Sequence, residues 1–305
     1  MDKKKMLIIG ASGLVGSYLY QTFLKDGNFE ISGTYFGENH NPALKELDIR
    51  DEPLVQKLIK DFQPGIVILP AANPNVEYCE TNPIETRAVN IDGAKNVIRN
   101  LPKNALFVYF SSDYVFDGEK GNYKENDKPN PINEYGRQKL EMEEEVKKVL
   151  PNYLIVRTTG IYGWHWGRKN YVMQVLDRIK KSEEISAPVD QIYCPTYAGN
   201  LAGALCSLIK QNQRGIFHIT GKEAVNRLDF TKKIISSFNL NYEKIKGITT
   251  DKMQLKAKRP LKSDLNINKL ESLGIKMFKV AEGLEKMKND SFSVDYHRDY
   301  GANGV

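Results

Sequence analysis

Tyr135 and Lys139 stand one helical turn apart in a stretch, about Asn133 to Leu150, whose apolar positions recur at helical spacing. Tyr135, Lys139, Met142, Val146, Val149 and Leu150 fall on one expected face, which puts an ammonium among apolar neighbours. A cation there is costly unless paired, and a phenolate or a ligand hydroxyl is its natural partner. Moving a tyrosine pKa from about 10 to about 7 takes roughly 4 kcal/mol, and one charge about 4 Å away at an effective dielectric of about 20 supplies that much. The spacing therefore predicts a phenol made more acidic by Lys139. Such a phenol can protonate a carbonyl oxygen while hydride arrives at the carbon. The hydroxyl of Ser112, 23 residues before Tyr135 and at the C-terminal end of an expected strand from Ala105 to Phe110, is the candidate to hold that oxygen.

Hydride chemistry needs a cofactor site, and the first residues offer one. Met6 to Ile9 is a short apolar run, followed by Gly10, Ala11, Ser12, Gly13, Leu14, Val15 and Gly16, then by helical spacing through Leu14, Tyr18, Leu19, Thr22 and Phe23. Residues lacking Cβ thus sit in a strand-turn-helix where a pyrophosphate could approach the backbone and meet helix N-terminal N–H groups. The spacing is G-x-x-G-x-x-G, one residue different from the G-x-G-x-x-G of ordinary dinucleotide folds. The second strand ends Ser32-Gly33-Thr34-Tyr35-Phe36, with no carboxylate for the adenosine ribose of NAD and no adjacent arginine for a 2′-phosphate. The missing carboxylate leans the expectation to NADP(H) over NAD(H). Asp48 and Ile49 are read either as an adenine-contacting segment or as a solvated cap ahead of Pro53.

The elements that must position these residues alternate. Strands are expected near Phe29 to Tyr35, Ile66 to Leu69, Ala105 to Phe110 and Tyr153 to Val156. Between them fall a helix opened by Pro53, with Leu54, Val55, Leu58, Ile59 and Phe62 on one face, a helix from about Ile84 to Leu101, and the Tyr135 helix. Wholly apolar strands separated by amphipathic helices imply a doubly wound α/β fold, a parallel sheet covered on both faces. Beyond Arg157 the pattern loosens into helices at Asn170 to Lys181, Ala198 to Lys210 and Leu228 to Phe238, with one strand at Ile216 to Ile219. The expected division is a dinucleotide-binding domain over 1–163, regaining about 196–222, and a smaller C-terminal substrate domain over 164–305, mainly lid and a loose tail carrying Gly301, Asn303 and Gly304.

Composition narrows the class. The chain has 305 residues, 41% hydrophobic and 27% charged, with no low-complexity tract, which excludes wholesale disorder. No apolar run approaches the roughly 18 residues of a membrane span, and residues 1–5 lead straight into a strand, so a cytoplasmic protein without membrane association is expected. The net charge of +6 is dispersed, which disfavours nucleic acid and suits small anions. Cys79, Cys194 and Cys206 lack metal-ligand or disulfide spacing, and His40, His165, His218 and His297 lack visible partners, so no metal is expected.

With these motifs in place the chain resembles the extended short-chain dehydrogenases, and within them the dTDP-4-dehydrorhamnose reductase family, over nearly its whole length. The resemblance rests on Gly10 to Gly16, Ala71-Ala72, Asn90 in Val89-Asn90-Ile91-Asp92-Gly93, Ser111 to Gly118, and Tyr135-Gly136-Arg137-Gln138-Lys139. It continues through Arg157 to Tyr162, Asn170-Tyr171-Val172, Asp190-Gln191, Pro195-Thr196, and Arg259-Pro260 with Ser263 and Leu265. The likeness implies NAD(P)H-dependent reduction of the 4-keto group of a nucleotide-linked 6-deoxy sugar. Ser112 would orient the substrate, Tyr135 donate the proton, and Lys139 lower its pKa and grip the ribose. Ala71, Ala72 and Asn90 would join the glycine turn and Thr34 in the cofactor site. Asp113, Tyr114, Val115, Trp164, Asn170, Gln191 and Arg259 would line the substrate side. Trp164 and Trp166 are open to stacking on a sugar or base, or to packing a loop. Arg259 could meet a pyrophosphate, whereas Glu141, Glu143, Glu144 and Glu145 read as the wet side of the Tyr135 helix.

Three readings compete on this scaffold. Related dehydratases carry Asp-Glu where this chain has Asp113-Tyr114, which favours simple reduction and ranks an epimerase or dehydratase last. The regulatory beta subunit of methionine adenosyltransferase resembles the same reductases, so a non-catalytic NADP-binding subunit is the alternative. A homodimer is compatible with either.

Overall fold

The computed structural model describes residues 3–290, and the expected tail, with His297, lies outside the described residues. Seven strands form one sheet. The first six are β1 (Lys4–Ile8), β2 (Phe29–Tyr35), β3 (Lys45–Glu46), β4 (Ile66–Leu69), β5 (Leu106–Ser112) and β6 (Tyr153–Thr158). The seventh, Gly215–His218, pairs beside β6, and the order across the sheet is Gly215–His218, β6, β5, β4, β1, β2, β3, with every neighbouring pair parallel. β1 sits between β2 and β4, so the winding reverses there and opens a crevice beyond the C-terminal ends of β1 and β4.

Alternate residues of one apolar strand serve two different cores. Met6 and Ile8 of β1 join Leu19 and Phe23 of α1 (Leu14–Asp26) and Leu201 and Leu205 on one face. Leu7 and the following Ile9 join Val55 and Ile59 of α2 (Glu52–Phe62), and Met142 and Val146, on the other. This two-sided burial is the physical reason the strands lack polar alternation. Asp51 caps α2 by accepting from the Leu54 amide, at 3.0 Å, so Asp48 is not the helix cap. Leu54 is exposed, because the residue beside Pro53 turns away from the face that buries Val55 and Ile59.

The expected helix from Ile84 is interrupted. α3 (Val76–Thr81) precedes it, and α4 (Pro83–Arg87) runs into a π-helical turn, Ala88–Gly93, before α5 (Ala94–Arg99). The wider turn carries Asn90 to the interior, a use to which π segments near functional sites are often put. α6 (Glu134–Val149) brings Lys139, Met142 and Val146 inward, but Val149 is exposed in the fraying last turn.

Beyond β6 lie α7 (Tyr171–Lys180), α8 (Ala198–Lys210), which packs against α1, and α9 (Arg227–Ser237). Short strands Ile185–Pro188 and Ile245–Ile248 pair in parallel, and Ile192–Tyr193 pairs antiparallel with Val225–Asn226. Among the described residues no helix is long and apolar enough to cross a membrane.

Candidate active site

The crevice is built first by the glycine turn. Gly10 has φ +93° and its amide donates to Thr34 Oγ1 at 3.1 Å, while the Ala11 amide donates to the Thr34 carbonyl at 2.7 Å. Thr34 therefore holds the turn against β2. A Cβ on Gly16 would lie 2.0 Å from the Gly10 carbonyl oxygen, so only glycine lets the start of α1 approach the strand this closely. Gly13 precedes α1 without a side-chain cap, so no side chain there takes the first-turn amides, a geometry that could receive an anion. Ser12 turns its carbonyl to His165 Nε2, at 2.8 Å; because His165 Nδ1 accepts from the Gly167 amide, Nε2 carries the proton and donates.

Opposite the turn, Ala71 follows β4, and its Cβ lies 2.9 Å from where a Cβ on Gly10 would sit. Asn90 braces the loop through Ala72. Its Oδ1 accepts from the Asn73 amide at 2.7 Å, and its Nδ2 donates to the Asn73 carbonyl at 3.1 Å and to Gln138 Oε1 at 2.8 Å. Ile49 is buried in the core, whereas Asp48 meets Arg50 as an ion pair, at 2.6 Å, whose hydrogen bonds hold its carboxyl below the usual range.

Ser112, Tyr135 and Lys139 come together beside this crevice. Ser112, at the end of β5, donates to Asp113 Oδ1 at 2.9 Å and accepts from the Tyr114 amide at 3.2 Å. Asn133 caps α6 by accepting from the Gly136 amide at 2.9 Å, and its Nδ2 donates to the Lys258 carbonyl at 2.9 Å. A Cβ on Gly136 would sit 2.1 Å from the Tyr114 carbonyl oxygen, so glycine lets Tyr135 reach the β5 end. The Tyr135 and Tyr114 rings meet edge to face at 6.0 Å.

Lys139 is 4% exposed; its Nζ donates to the Phe110 carbonyl at 2.9 Å and lies 5.7 Å from the centre of the Tyr135 ring. Burial pulls its pKa down to about 8. The expected acidified phenol is not what this arrangement produces. Tyr135 is pushed well above the usual phenol value, by burial first and then by the Asp113 charge, with the nearby Ser112 hydroxyl opposing. The amine faces the ring and the Phe110 carbonyl, so it does not offset the loss of hydration that a phenolate would suffer. The phenol rests protonated, ready to give a proton.

The expected substrate residues divide. Asp113 is buried beneath Ser112 and accepts from Thr159 Oγ1 at 2.8 Å and Ser263 Oγ at 2.6 Å; burial raises its pKa, and the three hydroxyls pull it back. Tyr114 flanks the Tyr135 phenol, but Val115 is wholly buried against Phe116. Trp164 packs the loop and leaves no face open for stacking: it is 5% exposed, packs on Phe238 and donates from Nε1 to the Met287 carbonyl at 2.6 Å. Trp166 is the exposed tryptophan, stacked on His40 at 4.3 Å. Asn170 is occupied as the cap of α7 and by the Gly163 carbonyl. Gln191 donates to Thr250 Oγ1 at 3.0 Å, and Arg259 pairs with Glu77 at 2.7 Å.

Glu143 was expected on the wet face, yet it is fully buried. Arg157 forks it at 2.8 and 2.6 Å, and Ser111 Oγ donates to it at 2.5 Å. Glu143 follows Lys139 by one helical turn, the spacing that could have placed it inward.

A doubly wound parallel sheet, a glycine turn at its switch point and a Ser/Tyr/Lys group at the adjoining strand end define an extended short-chain dehydrogenase/reductase. The family profile described as the RmlD substrate binding domain matches residues 4–292, and the chain belongs to that family. It is 31% identical over 283 residues to the dTDP-4-dehydrorhamnose reductase of Aggregatibacter actinomycetemcomitans, covering 88% of this chain and 92% of the relative. It is equally 31% identical over 287 residues to bovine methionine adenosyltransferase 2 subunit beta, covering 90% and 84%. A crystal structure of dTDP-4-dehydrorhamnose reductase from Bacillus anthracis, in complex with NADP, superposes with a TM-score of 0.86 at 32% identity, over 94% of this chain and 99% of that one.

Proposed function

We propose that the protein is an NAD(P)H-dependent reductase acting on the 4-keto group of a nucleotide-diphosphate 6-deoxy-4-keto sugar. The observation that carries the reading is the buried Lys139 beside a protonated Tyr135, with Ser112 adjoining at the crevice. The glycine turn suits a dinucleotide: the space a Cβ would fill at Gly16 is closed, and the uncapped start of α1 offers amides. Gly10 to Gly16, Thr34, Ala71, Ala72 and Asn90 would form the cofactor side, with Asp48 and Ile49 toward the adenine and Lys139 toward a ribose. A bound nicotinamide supplies the hydride. Ser112 holds the substrate oxygen, and Tyr135 gives its proton to that oxygen as the carbon is reduced, yielding the alcohol. The lack of a carboxylate at the end of β2 and the NADP of the Bacillus anthracis relative favour NADP(H). Tyr114 and Gln191 are the substrate-side residues this reading retains, with the buried Asp113 holding the Ser112 hydroxyl from behind.

The test is turnover at the nicotinamide absorbance across a panel of nucleotide-linked 4-keto sugars, with Tyr135→Phe as control. The variant should keep cofactor affinity and lose roughly 100- to 10,000-fold in kcat. Wild-type turnover by Tyr135→Phe would overturn the reading. The methionine adenosyltransferase beta relatives support a second reading, a non-catalytic NADP-binding subunit. It would be favoured by tight cofactor binding, no turnover on the panel, and a stoichiometric enzyme partner in a pull-down.

A further inference from the structure

Arg227 begins α9 and places its guanidinium between two aromatic faces, 4.6 Å from the centre of the Tyr171 ring and 4.2 Å from that of Tyr193. Those faces attract the cation but offer no acceptor to the N–H groups in its plane. The contrast with its neighbours is plain. Arg157 is forked by Glu143 and Arg259 is paired with Glu77, whereas no carboxylate among the described residues pairs with Arg227.

A second polar group lies at the same place, close to the guanidinium. Tyr193 is 4% exposed, and its buried hydroxyl makes no hydrogen bond of ordinary geometry. Its ring is fixed against Gly160, where a Cβ would come within 2.3 Å of it, and edge-on to Phe230. Tyr171 is held by a 2.7 Å hydrogen bond between its hydroxyl and Thr231. The Arg227 charge reaches Asp113 and Tyr114, the two residues after Ser112. A rigidly clamped cation and the buried Tyr193 hydroxyl close to it therefore lie within electrostatic reach of the residues that follow Ser112.

We propose that Arg227, with the Tyr193 hydroxyl beside it, recognises an oxyanion carried by the substrate next to Tyr114. The inference rests on the reading of this cleft as a sugar-nucleotide site. Phosphoryl oxygens of the diphosphate and a carboxylate on the sugar ring share the required chemistry, since either can take the planar donors of a guanidinium. Arg227 is a specificity residue here, separate from the proton donor.

The experiment is calorimetric titration of the full chain, loaded with NADPH, with dTDP in one arm and glucuronate in the other. Wild type, Arg227→Gln, Arg227→Lys and Tyr193→Phe are compared, with NADPH affinity as the check that the fold is intact. At least a tenfold loss of dTDP affinity in Arg227→Gln, partly restored in Arg227→Lys, supports the inference with the diphosphate as the source. The same loss confined to glucuronate supports it with a ring carboxylate as the source. Tyr193→Phe should weaken the same ligand by a few-fold. Equal affinity of wild type and Arg227→Gln for both ligands, with NADPH binding retained, overturns the inference while leaving the reductase reading standing. Failure of the wild type to bind either NADPH or NADH overturns the underlying reading as well.

Discussion

Replacing Lys139 with methionine removes a cation from the interior while keeping an unbranched apolar stem of similar length, which makes its effect on stability calculable. In the folded protein burial brings the lysine pKa from 10.5 to about 8. Between those values the unfolded chain holds a proton that the folded chain has released, so native stability rises with pH across that window. Below about pH 8 both states are protonated and the full penalty of burying the charge is present. Each pH unit inside the window is worth about 1.4 kcal/mol, so wild type should gain about 2 to 3 kcal/mol on Lys139→Met between pH 7 and pH 10. The bond to the Phe110 carbonyl is stronger from the ammonium than from the neutral amine, so it opposes the trend in part without reversing its direction. Urea unfolding at closely spaced pH values reads the difference directly, and other titrating groups cancel in it. Parallel stability profiles for the two proteins would refute the reasoning, because the amine would then be as hydrated folded as unfolded.

Two further outcomes follow from the same packing. Glu143→Ala leaves the Arg157 guanidinium buried without its partner and should cost about 3 to 5 kcal/mol in denaturant unfolding, far more than Glu144→Ala on the exposed face of the same helix. Gly16→Ala forces a methyl toward the Gly10 carbonyl oxygen and should destabilise the fold by about 1 to 3 kcal/mol. The same change should weaken NADPH binding at least tenfold by fluorescence titration, and an unaltered affinity would remove the glycine turn from the cofactor site.

Local pattern was sufficient for the main sheet strands and long helices and for the motifs that lie within one of them, but not for the π-helical turn at Ala88–Gly93 or the short strands beyond β6. β2 and β4 run over Phe29–Tyr35 and Ile66–Leu69 as the apolar runs predict, and Tyr135 and Lys139 share a helix because four residues make one turn. The glycine turn was legible for a similar reason: its constraint is a steric contact between residues six apart. What needed the tertiary structure was which face of an element finds a partner. Glu143 sits among acidic neighbours that face water, and only the approach of Arg157 from β6 and Ser111 from β5 makes its burial tolerable.

The same distinction separates Trp164 from Trp166, two residues apart in one loop, since the Met287 carbonyl and Phe238 that engage Trp164 come from distant chain segments. Arg227 carries no motif, and its significance arises from Tyr171 and Tyr193 closing on it from two other elements. The Tyr135 phenol shows the limit most clearly. Sequence spacing determined that a cation would lie one turn away, but the direction of its pKa shift follows from where the amine points and how much water the fold excludes. Periodicity specifies neighbours along a helix, whereas hydration is a property of everything packed around it.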